Sequence, residues 1–309
     1  MSADVGSRSA RQLRTSRADL KAPLLKTPGV RRSSGSWVRR SIRSRGLVGL
    51  VIVAVVAVAA ISAPLLTPYD PAAQKLLDAL QAPSRAHPLG TDEFGRDLLS
   101  RVIYGARASL EVGLLSVVVS ALIGTALGQI AGYRGGRVDE VIMRLMDALF
   151  AFPALMLALV INVLLGASLT NAIVAIAVVT VPGFARLARG STLVEREREF
   201  VLASRALGAS DGRVLFRHIL PNILAPLIIN ASTQVSSAIV TEGALSFLGL
   251  GVQPPTPSWG SMLRSGYSYM DTSPWLAVAP GLAVMVTVLG FNFIGDSLQD
   301  ALDPRGARA

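Results

Sequence analysis

The stretch Glu199-Phe-Val-Leu-Ala-Ser-Arg-Ala-Leu-Gly-Ala-Ser-Asp-Gly-Arg-Val-Leu-Phe-Arg-His-Ile-Leu-Pro-Asn222 is a charged segment set between two long apolar runs. Phe200, Val201, Ala203 and Leu207 repeat at helical spacing, which predicts a first short helix. Gly208 is placed to end it, because φ > 0 has little steric cost at glycine. Ser210 is placed to cap a second helix carrying Val214, Leu215, Phe216 and Ile219. Pro221 ends that helix and opens the next apolar segment at its first turn. The segment reads as helix, tight turn, helix.

The flanking runs set the class. Of 309 residues, 51% are hydrophobic and only 16% are charged, a combination that soluble domains rarely show. The absence of cysteine excludes disulfides and thiolate metal sites. The net charge of +10 lies entirely in residues 1–46, and the remainder is balanced. Residues 1 to about 45 are rich in Ser, Arg and Gly, and are expected to be a disordered basic tail. A basic tail is one mark of nucleic-acid binding, but the apolar run behind it makes membrane topology the better reading, so no nucleic acid is expected.

Leu47 to Leu66 is uncharged and contains twelve Leu, Ile or Val. These contribute roughly −4 to −7 kcal/mol to insertion, a strong first span. A loop follows over 67–108. Within it, Leu98, Leu99, Val102, Ile103 and Ala106 share one helical face, and Arg96, Asp97, Ser100, Arg101 and Arg107 take the other. This pattern fits an interfacial helix with a solvated charged face and an Asp97–Arg101 pair.

The second span is expected over 112–133. Ser116, Ser120, Gly124, Gly128 and Gly132 fall at every fourth position, which lets another helix approach closely. That helix belongs either to this chain or to a sibling subunit. Residues 148–185 are 38 consecutive uncharged residues, too many for one span. Gly166 to Asn171 divides them into a third span, about 148–165, and a fourth, about 171–188. The fifth runs from about 223 to 241 and is weak. Its Asn230, Gln234, Ser237 and Thr241 share one face. That stripe either lines a polar route through the membrane or glues helices together. Glu242 follows at the far end, at the outer mouth of the route or at the interface. A proline-rich loop carries Trp259, which with Trp275 suits an interfacial anchor. The sixth span covers about 274–295.

Six spans place both termini on one side. With that side cytoplasmic, 24 Lys and Arg lie inside and 6 outside, as the positive-inside rule requires. The 199–222 segment is then cytoplasmic. No Gly-x-x-x-x-Gly-Lys-Ser/Thr loop is present, so this chain cannot cradle nucleotide phosphates in that way. His87 and His218 fall on opposite sides, and no metal site or catalytic constellation stands out.

On these residues the chain resembles the permeases of ABC importers. Their Glu-Ala-Ala loop reads Glu-Ala-Ala, three residues, Gly, nine residues, Ile-x-Leu-Pro. Leu202-Ala203-Ser204 stands in the first place, and Gly208, Leu220 and Pro221 match at the right spacing. Leu202, Ser204 and His218 depart from the form. Arg205-Ala-Leu-Gly-Ala-Ser210 followed by Arg217-His-Ile-Leu-Pro-Asn222 is close to the peptide and nickel permeases. His87 to Leu110 and Leu245 to Gly260 resemble their C-type subunit.

The resemblance implies an all-α integral membrane protein of six transmembrane helices over residues 46–305, with a cytoplasmic coupling-helix loop, in the cell inner membrane. It implies four kinds of partner: a sibling permease, two ATPase subunits or domains, an extracytoplasmic substrate-binding protein, and membrane lipid. ATP and Mg would be bound by the ATPases and no cofactor by this chain, which would not itself be an enzyme. The substrate would be a di- or oligopeptide, or alternatively nickel or another small solute. The implied coupling residues are Ala203, Arg205, Gly208, Ala209, Ser210, Asp211, Arg213, Val214, Leu215, Phe216, His218 and Pro221, with Val214, Leu215 and Phe216 as the apolar plug. The candidate path residues are Asn230, Gln234, Ser237, Thr241 and Glu242. An ATP-independent channel or secondary transporter is the rival, opposed by the lack of a charge within a span core.

Overall fold

A computed structural model describes residues 35–302, with side chains from Arg45 onward. Residues 1–34 of the expected basic tail, and residues 303–309, lie outside the described residues. The part of the tail that is described is helical, because α1 spans Gly35–Ile61. The other helices of eight residues or more are α2 (Leu98–Arg134), α3 (Gly136–Phe150), α4 (Ala154–Leu165), α5 (Leu169–Glu195), α6 (Glu199–Ala206), α7 (Leu220–Phe247), α8 (Trp259–Ser268) and α9 (Trp275–Leu302).

Among the described residues, α2, α5, α9 and the continuous helical run Asp211–Phe247 are long and apolar enough to cross a membrane. The α3–α4 pair supplies a fifth span if it is taken as one bent element. The apolar part of α1, Arg45–Ile61, is shorter. Length and composition thus give four or five spans where the sequence predicts six. The expected third span, 148–165, is broken at Ala151–Pro153, where α3 and α4 meet at 91°. Pro153 has no N–H to donate and drives Phe152 out of helical backbone, so α3 ends there. The twelve residues of α4 reach only about 18 Å, short of the roughly 30 Å hydrocarbon core.

The predicted interfacial helix and second span are one 37-residue helix, α2. Asp97 caps it by accepting from the Ser100 N–H at 2.8 Å. Of the face expected to be solvated, Arg96, Asp97, Ser100 and Arg101 are buried and only Arg107 is exposed. Arg96 and Arg101 both pair with the Asp92 carboxylate, at 2.6 and 3.2 Å, and Asp97 pairs with His87 at 2.9 Å. The predicted Asp97–Arg101 ion pair is therefore replaced by longer-range partners from the folded loop, and the charges are paired because burial demands it. Trp259, read as an interfacial anchor, is also buried and donates its indole N–H to the Val102 carbonyl at 2.9 Å.

The row of small residues on α2 packs against α5 of the same chain. A Cβ on Gly124 would meet Phe184, one on Gly128 would meet the Ala185 carbonyl and Ala188, and one on Gly132 would meet Arg189 and Thr192. Ser116 and Ser120, earlier in the same row, are also buried, with their hydroxyls donating to carbonyls of α2 itself. The backbones come this close only because no side chain stands between them. α7 then packs on α9, α2 and α5, and its Ser236 hydroxyl donates to the Val288 carbonyl of α9 at 3.2 Å. At the hairpin end, α3 is strapped along α5. Arg189 donates to both Asp139 oxygens at 2.5 and 2.6 Å, and Arg186 pairs with Asp147 at 2.7 Å. This bidentate geometry is among the stronger that side chains make.

Candidate coupling and translocation site

α6 ends as its sequence requires. Gly208 has φ +82°, its N–H donates to the Arg205 carbonyl at 2.9 Å, and the Ala209 N–H donates to the Ser204 carbonyl at 3.1 Å. This pair of bonds is a Schellman motif, which needs a left-handed residue at that position. Ser210 is the N-cap residue of the next turn, but its side chain makes no capping bond. The second helix starts at Asp211 and continues without a break into α7. Pro221 therefore does not end it. Val214–Ile219 is a π-helical turn, and Leu220 N–H bonds back to Leu215 rather than four residues back. The wider turn accommodates the missing N–H and the ring of Pro221, as π-bulges do.

The exposed coupling residues are Ala203, Arg205, Gly208, Ser210, Asp211, Arg213, Phe216 and Pro221, whereas Ala209, Leu215 and His218 are half-buried. Val214 corrects the predicted plug. It is 0% exposed and packs in the main core with Val201 and Ile219. The most exposed apolar side chains of the hairpin are instead Phe216, 70% exposed, and Leu207, 89% exposed. Asp211 accepts from the Tyr133 hydroxyl at 2.9 Å, and the Arg205 guanidinium lies 5.6 Å over the same ring. These contacts hold the hairpin against the end of α2.

Gln234, Ser237 and Thr241 of the polar stripe line a cavity of about 180 Å³ together with Thr180, Gly183 and Phe150. Asn230 lies outside that lining and is half-buried. Ser237 donates to the Thr233 carbonyl and Thr241 to the Ser237 carbonyl, so both hydroxyls are satisfied within α7. Among the described residues none of the four bonds to another helix. The bond that joins α7 to α9 comes from Ser236, on another face.

Glu242 does not line the cavity. It is 1% exposed and points away from the stripe, accepting from Ser109 of α2 at 3.0 Å and from Ser246 at 2.7 Å. Ser246 in turn accepts from the Val252 N–H, which ties the proline-rich loop to the same cluster. Asn162, the lone polar residue of α4, is fully buried and donates to the Leu250 carbonyl at 2.5 Å. Both residues are polar in apolar helices, which is the signal for Asn162 that spacing alone does not supply.

A cavity carrying four polar side chains in a largely apolar wall thus lies beside a long helix that begins in an exposed hairpin. Residues 124–308 match the family described as binding-protein-dependent transport system inner membrane component. Residues 42–83 match the N-terminal TM domain of oligopeptide transport permease C. The chain belongs to this permease family. A dipeptide transport system permease protein of Alkalihalophilus pseudofirmus is 48% identical over 259 residues, covering 84% of this chain and 85% of the relative. A di/tripeptide transport system permease protein of Pseudomonas aeruginosa is 46% identical, covering 87% and 91%. A glutathione transport system permease protein of Pectobacterium atrosepticum is 46% identical, covering 79% and 81%. The permease also shares its fold with a chain of the inward-facing MetNI methionine ABC transporter, at TM-score 0.54 and 19% identity over 67% of this chain and 98% of that one. It is an all-helical, multi-pass protein of the inner membrane.

Proposed function

We infer that this permease is one of two membrane subunits of an ATP-driven importer of short peptides, with both termini in the cytoplasm. The observation that carries this reading is the continuous helical run from Asp211 to Phe247. It joins the exposed hairpin to the cavity wall at Gln234, Ser237 and Thr241. From Phe216 to Thr241 the run covers about 37 Å at the usual helical rise. A push on the hairpin therefore moves the cavity wall directly, with no loop between to absorb it.

In this reading the hairpin docks on an ATPase subunit, which holds ATP and Mg. Closure of the ATPases tilts the run Asp211–Phe247 against α5 and changes the side from which the cavity is reached. A sibling permease supplies the facing wall, and an extracytoplasmic binding protein delivers substrate. The relatives' substrates are dipeptides, di- and tripeptides and glutathione, which share amide groups and small size. Gln234, Ser237, Thr241 and Thr180 offer neutral donors and acceptors suited to such amides. The excess of Arg and Lys on the hairpin side supports the orientation.

The test is uptake of labelled dipeptide into vesicles holding the permease, its sibling, the ATPases and the binding protein. Accumulation should need both ATP and the binding protein. Equal uptake without ATP would replace the importer by a channel, and uptake of nickel but not peptide would reassign the substrate.

A further inference from the structure

The hairpin contains a cleft of about 340 Å³ with Ser204, Leu207, Arg213, Arg217 and His218 on its walls. Arg213 and Arg217 are exposed and four residues apart on one helical run. Several other arginines of this end are matched internally: Arg186 with Asp147, Arg189 with Asp139, Arg196 with Glu197 and Arg198 with Glu195. Arg205 lies over the Tyr133 ring, whereas Arg134 and Arg137 make no ion pair among the described residues but do not line the cleft. Arg213 and Arg217 make no ion pair among the described residues. Asp211 is the only acid on the segment from Asp211 to Ile219, and it is engaged by Tyr133. Like charges four residues apart on a helix repel each other, so the chain leaves here a positive cleft that an outside anion would relieve.

We propose that this cleft is a socket for an acidic side chain of the ATPase partner, and that Arg213 and Arg217 help to select which ATPase the permease accepts. This rests on the docking role given to the hairpin above. Guanidinium groups take carboxylates bidentately. Leu207 on the cleft wall and Phe216 on the same hairpin add exposed apolar surface beside the cations. Arginine beside apolar side chains is the composition of a protein interface. A membrane phosphate would satisfy the charges but would leave the wall of the cleft without a shaped partner.

The test is retention of the ATPase subunits by the assembled complex in nanodiscs of phosphatidylcholine alone, which hold no anionic lipid. The wild-type complex should retain them. Arg213→Glu with Arg217→Glu should reduce retained ATPase per permease by about tenfold or more, since like charges now face each other across the interface. The Arg213→Lys, Arg217→Lys pair should keep most of it, which separates lost charge from a misfolded hairpin. Full retention by the double Glu variant would overturn the socket while leaving the docking role intact. Retention that appears only when phosphatidylglycerol is added would assign the cleft to lipid instead. A wild-type complex that holds no ATPase in either lipid would overturn the docking role as well.

Discussion

Ser109 of α2 donates to Glu242 of α7 at 3.0 Å, joining two membrane-crossing helices through a carboxyl that water does not reach. The second acceptor oxygen of that carboxyl is taken by Ser246 at 2.7 Å. Gln at position 242 retains a carbonyl acceptor and adds a donor that a serine oxygen can accept. Leu removes both acceptors and leaves two buried hydroxyls without them. Glu242→Leu should therefore cost about 1–3 kcal/mol, and Glu242→Gln much less. Thermal unfolding of the purified complex measures this. A Leu variant as stable as wild type would show that the carboxyl does not join the helices.

Gly128 and Gly190 sit on the two helices of the tightest pair but in opposite environments. A Cβ on Gly128 collides with the backbone of α5, whereas at Gly190 nothing lies within 4 Å. Gly128→Leu should force α2 and α5 apart, costing on the order of 1–3 kcal/mol or more and lowering the yield of folded permease. Gly190→Ala should be neutral or gain about 0.5–1 kcal/mol through reduced backbone freedom. Size-exclusion profiles in mild detergent compare the two. Equal profiles would contradict the close seam.

Gly208 is open to solvent, with nothing within 4 Å of a Cβ, yet its φ is +82°. Any penalty there comes from backbone conformation and not from crowding. Gly208→Val should cost on the order of 1–2 kcal/mol locally and tilt Asp211–Phe247, whereas Gly208→Asn should be milder. The expected outcome for Val is ATP hydrolysis without matching uptake, or loss of the ATPase subunits, in a permease that still inserts. Hydrolysis and uptake measured together in reconstituted vesicles decide it. Unchanged uptake per ATP in the Val variant would remove the hairpin from the coupling route.

Orientation is open to cysteine labelling without background, since the chain has no cysteine. Gly212 on the hairpin and Thr256 in the proline-rich loop are both exposed, whereas Ser258 beside Thr256 is buried and unsuitable. An impermeant maleimide should label Thr256→Cys on intact cells, and Gly212→Cys only after permeabilisation. The reverse pattern would invert the topology and place the hairpin away from any cytoplasmic ATPase.

Local physics was legible from the chain alone. Uninterrupted apolar runs marked most of the spans, because transfer into lipid is nearly additive along a helix. Gly208 announced its left-handed turn, because only glycine adopts that backbone with little strain. The small-residue row on α2 announced a close helix crossing.

The tertiary structure decided what those signals pack against. Nothing in the spacing of Gly124, Gly128 and Gly132 says that the neighbour is α5 of the same chain, since any apolar helix with small residues would serve. Asp92 meets Arg101 only because a loop folds back over the start of α2, and this turns most of a face that reads as solvated, all but Arg107, into a buried polar network. Val214 and Phe216 have the same apolar character in sequence, but two residues apart on a helical run they point to opposite sides, and the packing of the hairpin buries one and exposes the other. Glu242 lies one residue past the polar stripe. The helical rotation between neighbours sends it to Ser109 instead of the cavity. A residue's kind is written in the sequence, but which surface it meets is a property of the whole chain folded on itself.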